Sequence, residues 1–126
     1  MANEKILIIE DDADISGLLG LRLKRSGYDT AFASDAVTAL TVARKEQPDL
    51  IVLDLGLPGG DGHIVMDRLR SIASLSHVPF SVVTARDPAI SRERVIEAGA
   101  HAFVEKPIEM DRLLETVRDA LGDEPT

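Results

Sequence analysis

Several residue types that would point to particular functions are absent or scarce in this chain of 126 residues. It has no cysteine, so disulfides, thiol catalysis and thiolate metal sites are excluded. It has no tryptophan, and aromatic residues make up 3% of the chain, which argues against stacking platforms for single-stranded nucleic acid. No apolar run approaches the roughly 20 residues that a membrane-spanning helix needs. The sequence therefore predicts a protein without thiol chemistry, base stacking or a membrane span.

Positive charge is also scarce. The 22 acidic residues outnumber the 14 lysines and arginines, and the formal net charge is −8. Sequence-independent binding to DNA needs a basic face, so we expect no direct binding to nucleic acid. The N-terminus has no signal-peptide pattern, and we predict a cytoplasmic location without membrane association.

The remaining composition is typical of one soluble globular domain. Hydrophobic residues make up 44% of the chain and charged residues 29%, and the length suffices for a single core. The sequence contains no repeat, linker or low-complexity segment. We predict one domain over residues 1–122, followed by an acidic tail at 123–126.

Four short apolar runs lead into residues that are suited to phosphoryl chemistry. The runs are residues 6–9, 50–53, 80–83 and 102–105, and the polar residues are Glu10, Asp11, Asp54, Thr84 and Lys106. Short apolar runs that alternate with helical stretches are typical of parallel strands buried on both faces. A further strand is expected at 28–32. The pattern predicts an α/β fold, with a doubly wound, flavodoxin-like five-stranded parallel sheet of order 2-1-3-4-5 and helices on both faces.

Helical periodicity fills the segments between the strands. The buried face of the first helix is predicted to carry Ile15, Leu18, Leu19 and Leu23. Asp12 is the candidate N-cap of this helix, Gly27 ends it, and Ser34 or Asp35 caps the second helix. The later helices are expected at about 63–74, 88–98 and 110–121, and the fourth is unusually polar.

Strand order places the predicted polar residues at one edge of the sheet. Asp11 and Asp54 become neighbours although 43 residues separate them. Clustered carboxylates repel unless a cation joins them, and Mg²⁺ prefers oxygen ligands. We assign Asp11 and Asp54 as direct ligands and Glu10 as the residue that holds a metal-bound water.

The same edge carries the groups that phosphoryl transfer requires. Asp54 ends the central strand before a Gly-rich loop and is the candidate nucleophile. Lys106 is a compact positive charge that can pair with Asp54 or with phosphate oxygens. The Thr84 hydroxyl can donate a hydrogen bond to a phosphate oxygen after transfer.

With these residues the chain resembles the receiver domains of two-component response regulators. The matching segments are Ile8-Ile9-Glu10-Asp11-Asp12, Asp54-Leu55-Gly56-Leu57-Pro58 with Asp61-Gly62, Val83-Thr84-Ala85 and Val104-Glu105-Lys106-Pro107. Their order and spacing fit the family over essentially the whole chain. The resemblance implies that Asp54 is the phosphoacceptor, that Glu10 and Asp11 are the acidic pair, and that Gly56 binds the metal through its backbone carbonyl.

The resemblance also implies a switch. Thr84 would be the switch hydroxyl, Lys106 the phosphate-contacting lysine and Phe103 the aromatic switch residue. The Lys106-Pro107 bond is expected to be cis, as is usual in this family. Gly56 stands where a larger side chain is frequent, and Arg86 flanks the mouth of the pocket.

The function that the resemblance implies is that of a stand-alone receiver. It would accept a phosphoryl group from a sensor histidine kinase or a histidine phosphotransfer protein in a Mg²⁺-dependent reaction. It would promote only its own phosphorylation and dephosphorylation. It would therefore be a phosphoacceptor protein and not an enzyme that acts on other substrates. A downstream protein partner would bind to the face formed by the fourth helix, the fifth strand and the fifth helix. The chain would be a monomer or a phosphorylation-dependent dimer.

Three other functions remain open at this point. A Mg²⁺-dependent aspartyl-phosphate phosphatase of the haloacid-dehalogenase kind would need a carboxylate two residues after the nucleophile, where this chain has Gly56. A flavodoxin-like flavin carrier would need a phosphate-binding loop after the first strand and more aromatic residues. A receiver-like interaction module that is not phosphorylated would not need the complete set of acidic residues, Thr84 and Lys106.

Overall fold

The structure is a computed structural model that describes residues 3–57, 62–85, 87 and 90–123. Strands and helices alternate along the chain. In chain order they are β1 (Lys5–Ile9), α1 (Ala13–Arg25), β2 (Asp29–Ala33), α2 (Ala36–Glu46), β3 (Leu50–Leu53), α3 (Gly62–Ser71), β4 (Phe80–Thr84), α4 (Arg92–Glu97), β5 (Ala102–Glu105) and α5 (Met110–Leu121). A short 3-10 helix, Ala73–Leu75, follows α3.

All five strands join one parallel sheet in the order β2-β1-β3-β4-β5, as predicted. In the register of the sheet Ile9 lies beside both Ala33 and Leu53. The residues that follow β1 and β3 therefore emerge side by side at the carboxyl edge. This is the edge at which open parallel sheets bind ligands.

The strands are buried on both faces because each side of the sheet packs against helices. Leu7 and Ile9 of β1 belong to the core cluster that includes α2 and α3, whereas Ile6 and Ile8 belong to the cluster with α1 and α5. All four side chains are fully buried. Each such burial contributes about 1.5–3 kcal/mol, which explains why apolar runs without alternation form this sheet.

Side-chain caps start the first two helices where the sequence predicted them. The carboxylate of Asp12 accepts hydrogen bonds from the backbone N–H groups of Asp14 and Ile15. Asp35, and not Ser34, caps α2 by accepting from the N–H of Thr38 at 2.8 Å. Gly27, just beyond α1, has φ 97°, a conformation that glycine adopts at little cost.

The prediction for Leu18 was wrong. It is 53% exposed, whereas Leu19 is 1% exposed. The helix turns by about 100° per residue, so Leu19 and Leu23 face the core and Leu18 points away from it.

Two later helices are shorter than expected. The α3 helix ends at Ser71, because Ile72 has an extended backbone. The α4 helix begins at Arg92, where Ser91 caps it, and Val95 is its buried residue. Residues 88 and 89, expected in this helix, lie outside the described part of the chain. Within the described residues no helix has the length and apolar character to cross a membrane.

Candidate functional site

The carboxyl edge of the sheet brings three carboxylates together. One oxygen from each of Glu10, Asp11 and Asp54 lies within 4.8 Å of the others. Glu10 and Asp11 directly follow β1, and Asp54 follows β3, so the pairing of these two strands creates the cluster. Glu10 and Asp54 are buried and Asp11 is exposed. The predicted meeting of these residues is confirmed.

Asp54 is held by two hydrogen bonds. Its Oδ1 accepts from the backbone N–H of Gly56 at 3.0 Å, and its Oδ2 accepts from Nζ of Lys106 at 3.1 Å. Burial by itself raises the pKa of Asp54, but these two donors offset it, so the pKa lies below its ordinary value. Asp54 is therefore an anion with a fixed orientation, as a carboxylate nucleophile must be.

Glu10 is the second carboxylate that Lys106 contacts. Its Oε1 lies 2.5 Å from Nζ of Lys106, and its Oε2 accepts from the N–H of Asp12 at 3.3 Å. Burial raises the pKa of Glu10, and the two donors lower it by less, so the pKa of Glu10 lies above its ordinary value. The two carboxylates raise the pKa of Lys106 although its own burial lowers it. The contact of Lys106 with Asp54 was predicted, but its contact with Glu10 was not, since the sequence does not show which of the clustered carboxylates the ammonium reaches.

Thr84 and Phe103 lie on the neighbouring strands β4 and β5. Thr84 is the last residue of β4 and is buried, and its carbonyl accepts from the N–H of Lys106 at 2.9 Å. Phe103 is buried in β5 opposite Val82. The Lys106-Pro107 peptide bond is cis, as predicted. The backbone thus links the candidate switch threonine directly to the candidate phosphate-binding lysine.

The loop after Asp54 depends on Gly62, the last residue of the matching segment that contains Asp54. The N–H of Gly62 donates to the carbonyl of Leu55 at 3.1 Å, and a Cβ at Gly62 would clash with the Leu55 backbone. Gly56, by contrast, is exposed, and a Cβ there would make an ordinary contact 3.6 Å from Oδ1 of Asp54. The glycine at 56 therefore leaves this approach to Asp54 open. Pro58 and Asp61 of the matching segment and Arg86, which was expected at the mouth of the pocket, lie outside the described residues.

The donor set of this cluster fits Mg²⁺. This ion takes oxygen ligands, keeps several waters, and is commonly held by one or two carboxylates. The cluster offers three carboxylates, and the exposed Asp11 leaves a side of it accessible to solvent. The cluster is therefore a candidate Mg²⁺ site, while the assignment of individual ligands, including the Gly56 carbonyl, remains a prediction.

Comparison with known families identifies the class of protein. The family model of the response regulator receiver domain matches residues 6–118. The chain therefore belongs to the response regulator receiver domain family, as its motifs predicted.

Similar proteins differ in how much of their length this chain covers. It is 34% identical over 120 residues to the polar-differentiation response regulator DivK of Brucella anthropi. The aligned residues cover 95% of this chain and 98% of DivK. It is 36% identical over 125 residues to the DNA-binding response regulator MtrA of Mycobacterium tuberculosis H37Rv, covering 97% of this chain and 54% of MtrA. The chain thus spans about half the length of MtrA.

A solved structure has the same fold over nearly the whole chain. It is a CheY-like response regulator receiver domain protein from Methanospirillum hungatei, with a TM-score of 0.86 and 26% sequence identity. The match covers 96% of this chain and 95% of that one. The five-stranded parallel sheet flanked by helices is therefore the receiver fold.

Proposed function

We propose that this protein is a phosphorylation-controlled switch in which Asp54 accepts a phosphoryl group. The observation that carries the proposal is the set of contacts around Asp54, whose two oxygens bind the Gly56 N–H and the Lys106 ammonium beside Glu10 and Asp11. This arrangement supplies an oriented anionic nucleophile, a fixed positive charge and a candidate metal site. Phosphoryl transfer depends mainly on such positioning and charge neutralisation.

The proposed donor is a phosphorylated histidine of a sensor kinase or a phosphotransfer protein. An oxygen of Asp54 forms a bond to phosphorus as the phosphorus–nitrogen bond breaks, and the imidazole leaves and takes up a proton. Mg²⁺, held by Asp11 and Asp54 with Glu10 binding its water and Gly56 adding its carbonyl, would neutralise charge on the transferred group. Lys106 would then contact the phosphoryl oxygens.

Transmission would begin at Thr84. Its hydroxyl would donate to a phosphoryl oxygen, and Phe103 on the next strand would change position in response. Phe103 lines a hollow of about 370 Å³ together with Arg92 of α4, Glu105 of β5 and Arg112 of α5. A population shift at this α4-β5-α5 face would change the binding of a downstream protein. The domain bounds 1–122 and 123–126 remain part of the proposal.

The test is phosphorylation by acetyl phosphate with Mg²⁺. The wild type should gain one phosphoryl group, seen as a mass increase of about 80 Da, because the nucleophile and its charge-neutralising groups are in place. Asp54→Asn should gain none, because the amide cannot act as the nucleophile. Asp67→Asn, an exposed change on α3, is the matched control and should be labelled as the wild type is.

The same experiment separates the alternatives. Label on Asp54→Asn at the wild-type rate would show that another residue is the acceptor. Absence of label on the wild type under these conditions would favour an interaction module without phosphorylation. A phosphatase is not favoured, because Gly56 provides no second carboxylate two residues after Asp54.

A further inference from the structure

An arginine of α3 reaches the end of α4. Arg70 lies in the last turn of α3, and its guanidinium donates to the backbone carbonyl of Ala98, the C-cap of α4. The two residues are 28 positions apart in the sequence. Met66 and Leu69 of α3 are fully buried, so the backbone from which Arg70 extends is fixed in the core. The contact therefore joins a firmly packed helix to a short one.

The guanidinium fits at this helix end because residue 99 is glycine. Gly99 has φ 110°, the left-handed conformation with which many helices end, and its N–H donates to the carbonyl of Ile96 at 2.9 Å. A Cβ at this position would overlap the guanidinium of Arg70. Arg70 thus packs against the backbone of the helix end as well as binding one of its carbonyls.

Charge strengthens the contact between Arg70 and this helix end. The last carbonyls of a helix lack partners within the helix and carry the negative end of its dipole. A hydrogen bond from a charged donor is stronger than one between neutral groups. The planar guanidinium also offers several donors in a fixed arrangement, whereas a lysine would supply a single point charge.

The two ends of α4 are held unequally. Beyond the C-terminal end, Ala100 is buried and the N–H of His101 donates to the carbonyl of Phe80 at 2.8 Å, so the chain joins the sheet at once. At the N-terminal end, the hydroxyl of Ser91 caps the helix through a long hydrogen bond of 3.4 Å from the N–H of Arg94. The C-terminal end is therefore the more firmly attached of the two.

We propose that Arg70 fastens the C-terminal end of α4 and makes it the pivot of this helix, so that α4 opens from its N-terminal end, which follows Thr84. The contacts with Ala98 and Gly99 persist while the N-terminal turn loosens. Arg70 is a positioning residue that determines which part of α4 moves. The fastening is a property of the fold, and only its use in the switch rests on the proposed function.

Residue-resolved hydrogen exchange by NMR tests the pivot on the unphosphorylated protein. Val95 and Ala100 report on the two ends of α4, because their N–H groups donate to the carbonyls of Ser91 at 3.0 Å and Val95 at 3.2 Å. In the wild type Ala100 should exchange more slowly than Val95 by at least about tenfold. In Arg70→Met this difference should disappear, because the C-terminal turn can then open as well. Arg70→Lys, which keeps the charge without the planar group, should retain part of the difference.

The matched control is Arg68→Met, the same change at another exposed arginine in the last turn of α3. It should keep the wild-type difference between Val95 and Ala100. The amides of α5 are followed in the same spectra and should be unchanged in Arg70→Met, since the effect is confined to one end of α4.

Beryllofluoride, which stands in for the phosphoryl group, shows whether the pivot serves the switch. In the wild type it should change the exchange of Val95 and leave that of Ala100 unchanged, whereas in Arg70→Met the change should extend to Ala100. A change at neither residue in the wild type would contradict the proposed phosphorylation switch, and the exchange without beryllofluoride would still decide the pivot.

Four results would overturn the pivot. The first is an Ala100 amide that exchanges as fast as that of Val95 in the wild type, and the second is an unchanged difference between them in Arg70→Met. The third is an equal effect of Arg70→Met and Arg68→Met. The fourth is faster exchange of α5 together with α4 in Arg70→Met, which would show that Arg70 supports the whole fold and not one end of a helix.

Discussion

The Lys106 ammonium lies between two buried carboxylates that would otherwise repel each other. It contacts Glu10 at 2.5 Å and Asp54 at 3.1 Å, so one of its neighbours is the proposed nucleophile and the other is not. Asp11 is the exposed member of the acidic cluster, which makes it the carboxylate most readily reached by a hydrated cation. The three acidic residues thus differ in environment although they lie together.

Asp11→Asn should uncouple the stability of the fold from Mg²⁺. In the wild type Mg²⁺ should raise the melting temperature, because a ligand that binds the folded state stabilises it. The variant should show little of this rise, while without Mg²⁺ it should melt at the wild-type temperature or above it, since carboxylate repulsion is reduced. Thermal melting over a Mg²⁺ titration measures both effects.

Asp14→Asn, a nearby exposed change on α1, is the control for that titration and should keep the response to Mg²⁺. If Asp11→Asn responded to Mg²⁺ as the wild type does, Asp11 would not be a ligand.

The buried hydroxyl of Ser81 does not stabilise the fold. Its side chain is fully buried in β4, and its Oγ has no hydrogen-bond partner among the described residues. A buried polar group without a partner costs about 1–3 kcal/mol, so Ser81→Ala should leave the free energy of unfolding unchanged or raise it by about 1 kcal/mol. Chemical denaturation measures this change.

The matched control is Ser71→Ala. The Ser71 hydroxyl is exposed and donates to the carbonyl of Arg68 at 2.7 Å, so its loss should change the stability by about 0.5 kcal/mol or less. A clear loss of stability in Ser81→Ala would mean that the hydroxyl has a favourable interaction after all.

At the scale of the elements, hydrophobic pattern and strand order were sufficient to predict the sheet. Four of the strands are apolar runs, and the register that pairs Ile9 with Leu53 brings the acidic residues after β1 close to Asp54, as predicted. The sequence predicted less well which side of α1 faces the core. Leu18 and Leu19 are equally apolar, and only their packing in the structure distinguishes the exposed side chain from the buried one. The Lys106–Glu10 contact was not predicted for a related reason: several carboxylates follow β1 and β3, and only packing determines which of them the ammonium contacts.

The α4 helix depends on other elements more than on its own core. Val95 is its buried residue, and Arg70 of α3 donates to the carbonyl of Ala98 at its C-terminal end. A short helix with so few buried side chains should open easily, so its amides should exchange faster than those of α5. This property fits an element that responds to a change at Thr84.

Thr84→Ala should separate phosphorylation from this response. The variant should still accept a phosphoryl group, because Asp54 and Lys106 are unchanged. Beryllofluoride, which stands in for the phosphoryl group, should alter amide exchange in α4 and β5 of the wild type but only weakly in the variant. Hydrogen exchange with mass spectrometry measures the difference.

Thr41→Ala, an exposed change on α2, should keep the wild-type response and serves as the control. A wild-type exchange pattern in Thr84→Ala would mean that the switch operates through another contact, such as that of Lys106 with the phosphoryl group.

At the scale of the whole molecule, contacts at the amino edge of the sheet join the two ends of the described chain. The Tyr28 hydroxyl donates to Asp123 at 2.9 Å, just beyond α5, and Asp123 also hydrogen-bonds the Glu4 carboxyl before β1. Burial and the contact with Asp123 raise the pKa of Tyr28 to about 12. This edge lies opposite the acidic cluster, so it affects stability without touching the proposed phosphorylation site.

The pair of Glu4 and Asp123 predicts a specific pH dependence of stability. The hydrogen bond to Asp123, then burial and the charges of Asp123 and Asp49, raise the pKa of Glu4 from 4.5 to about 7. The folded state therefore binds more protons than the unfolded state between these values, and the free energy of unfolding should fall as pH rises through this window. The contribution is complete below pH 4.5 and is lost as pH rises through about 7.

Asp123→Asn should flatten that part of the profile, because the amide removes the charge that favours the protonated Glu4. Chemical denaturation at a series of pH values between 4.5 and 7 measures the slope. Asp67→Asn on α3, which is not among the charges that shift Glu4, should retain the wild-type slope. An unchanged slope in Asp123→Asn would show that Glu4 does not share its proton with the end of α5. In that case the contact would hold the two ends of the domain together without making its stability sensitive to pH.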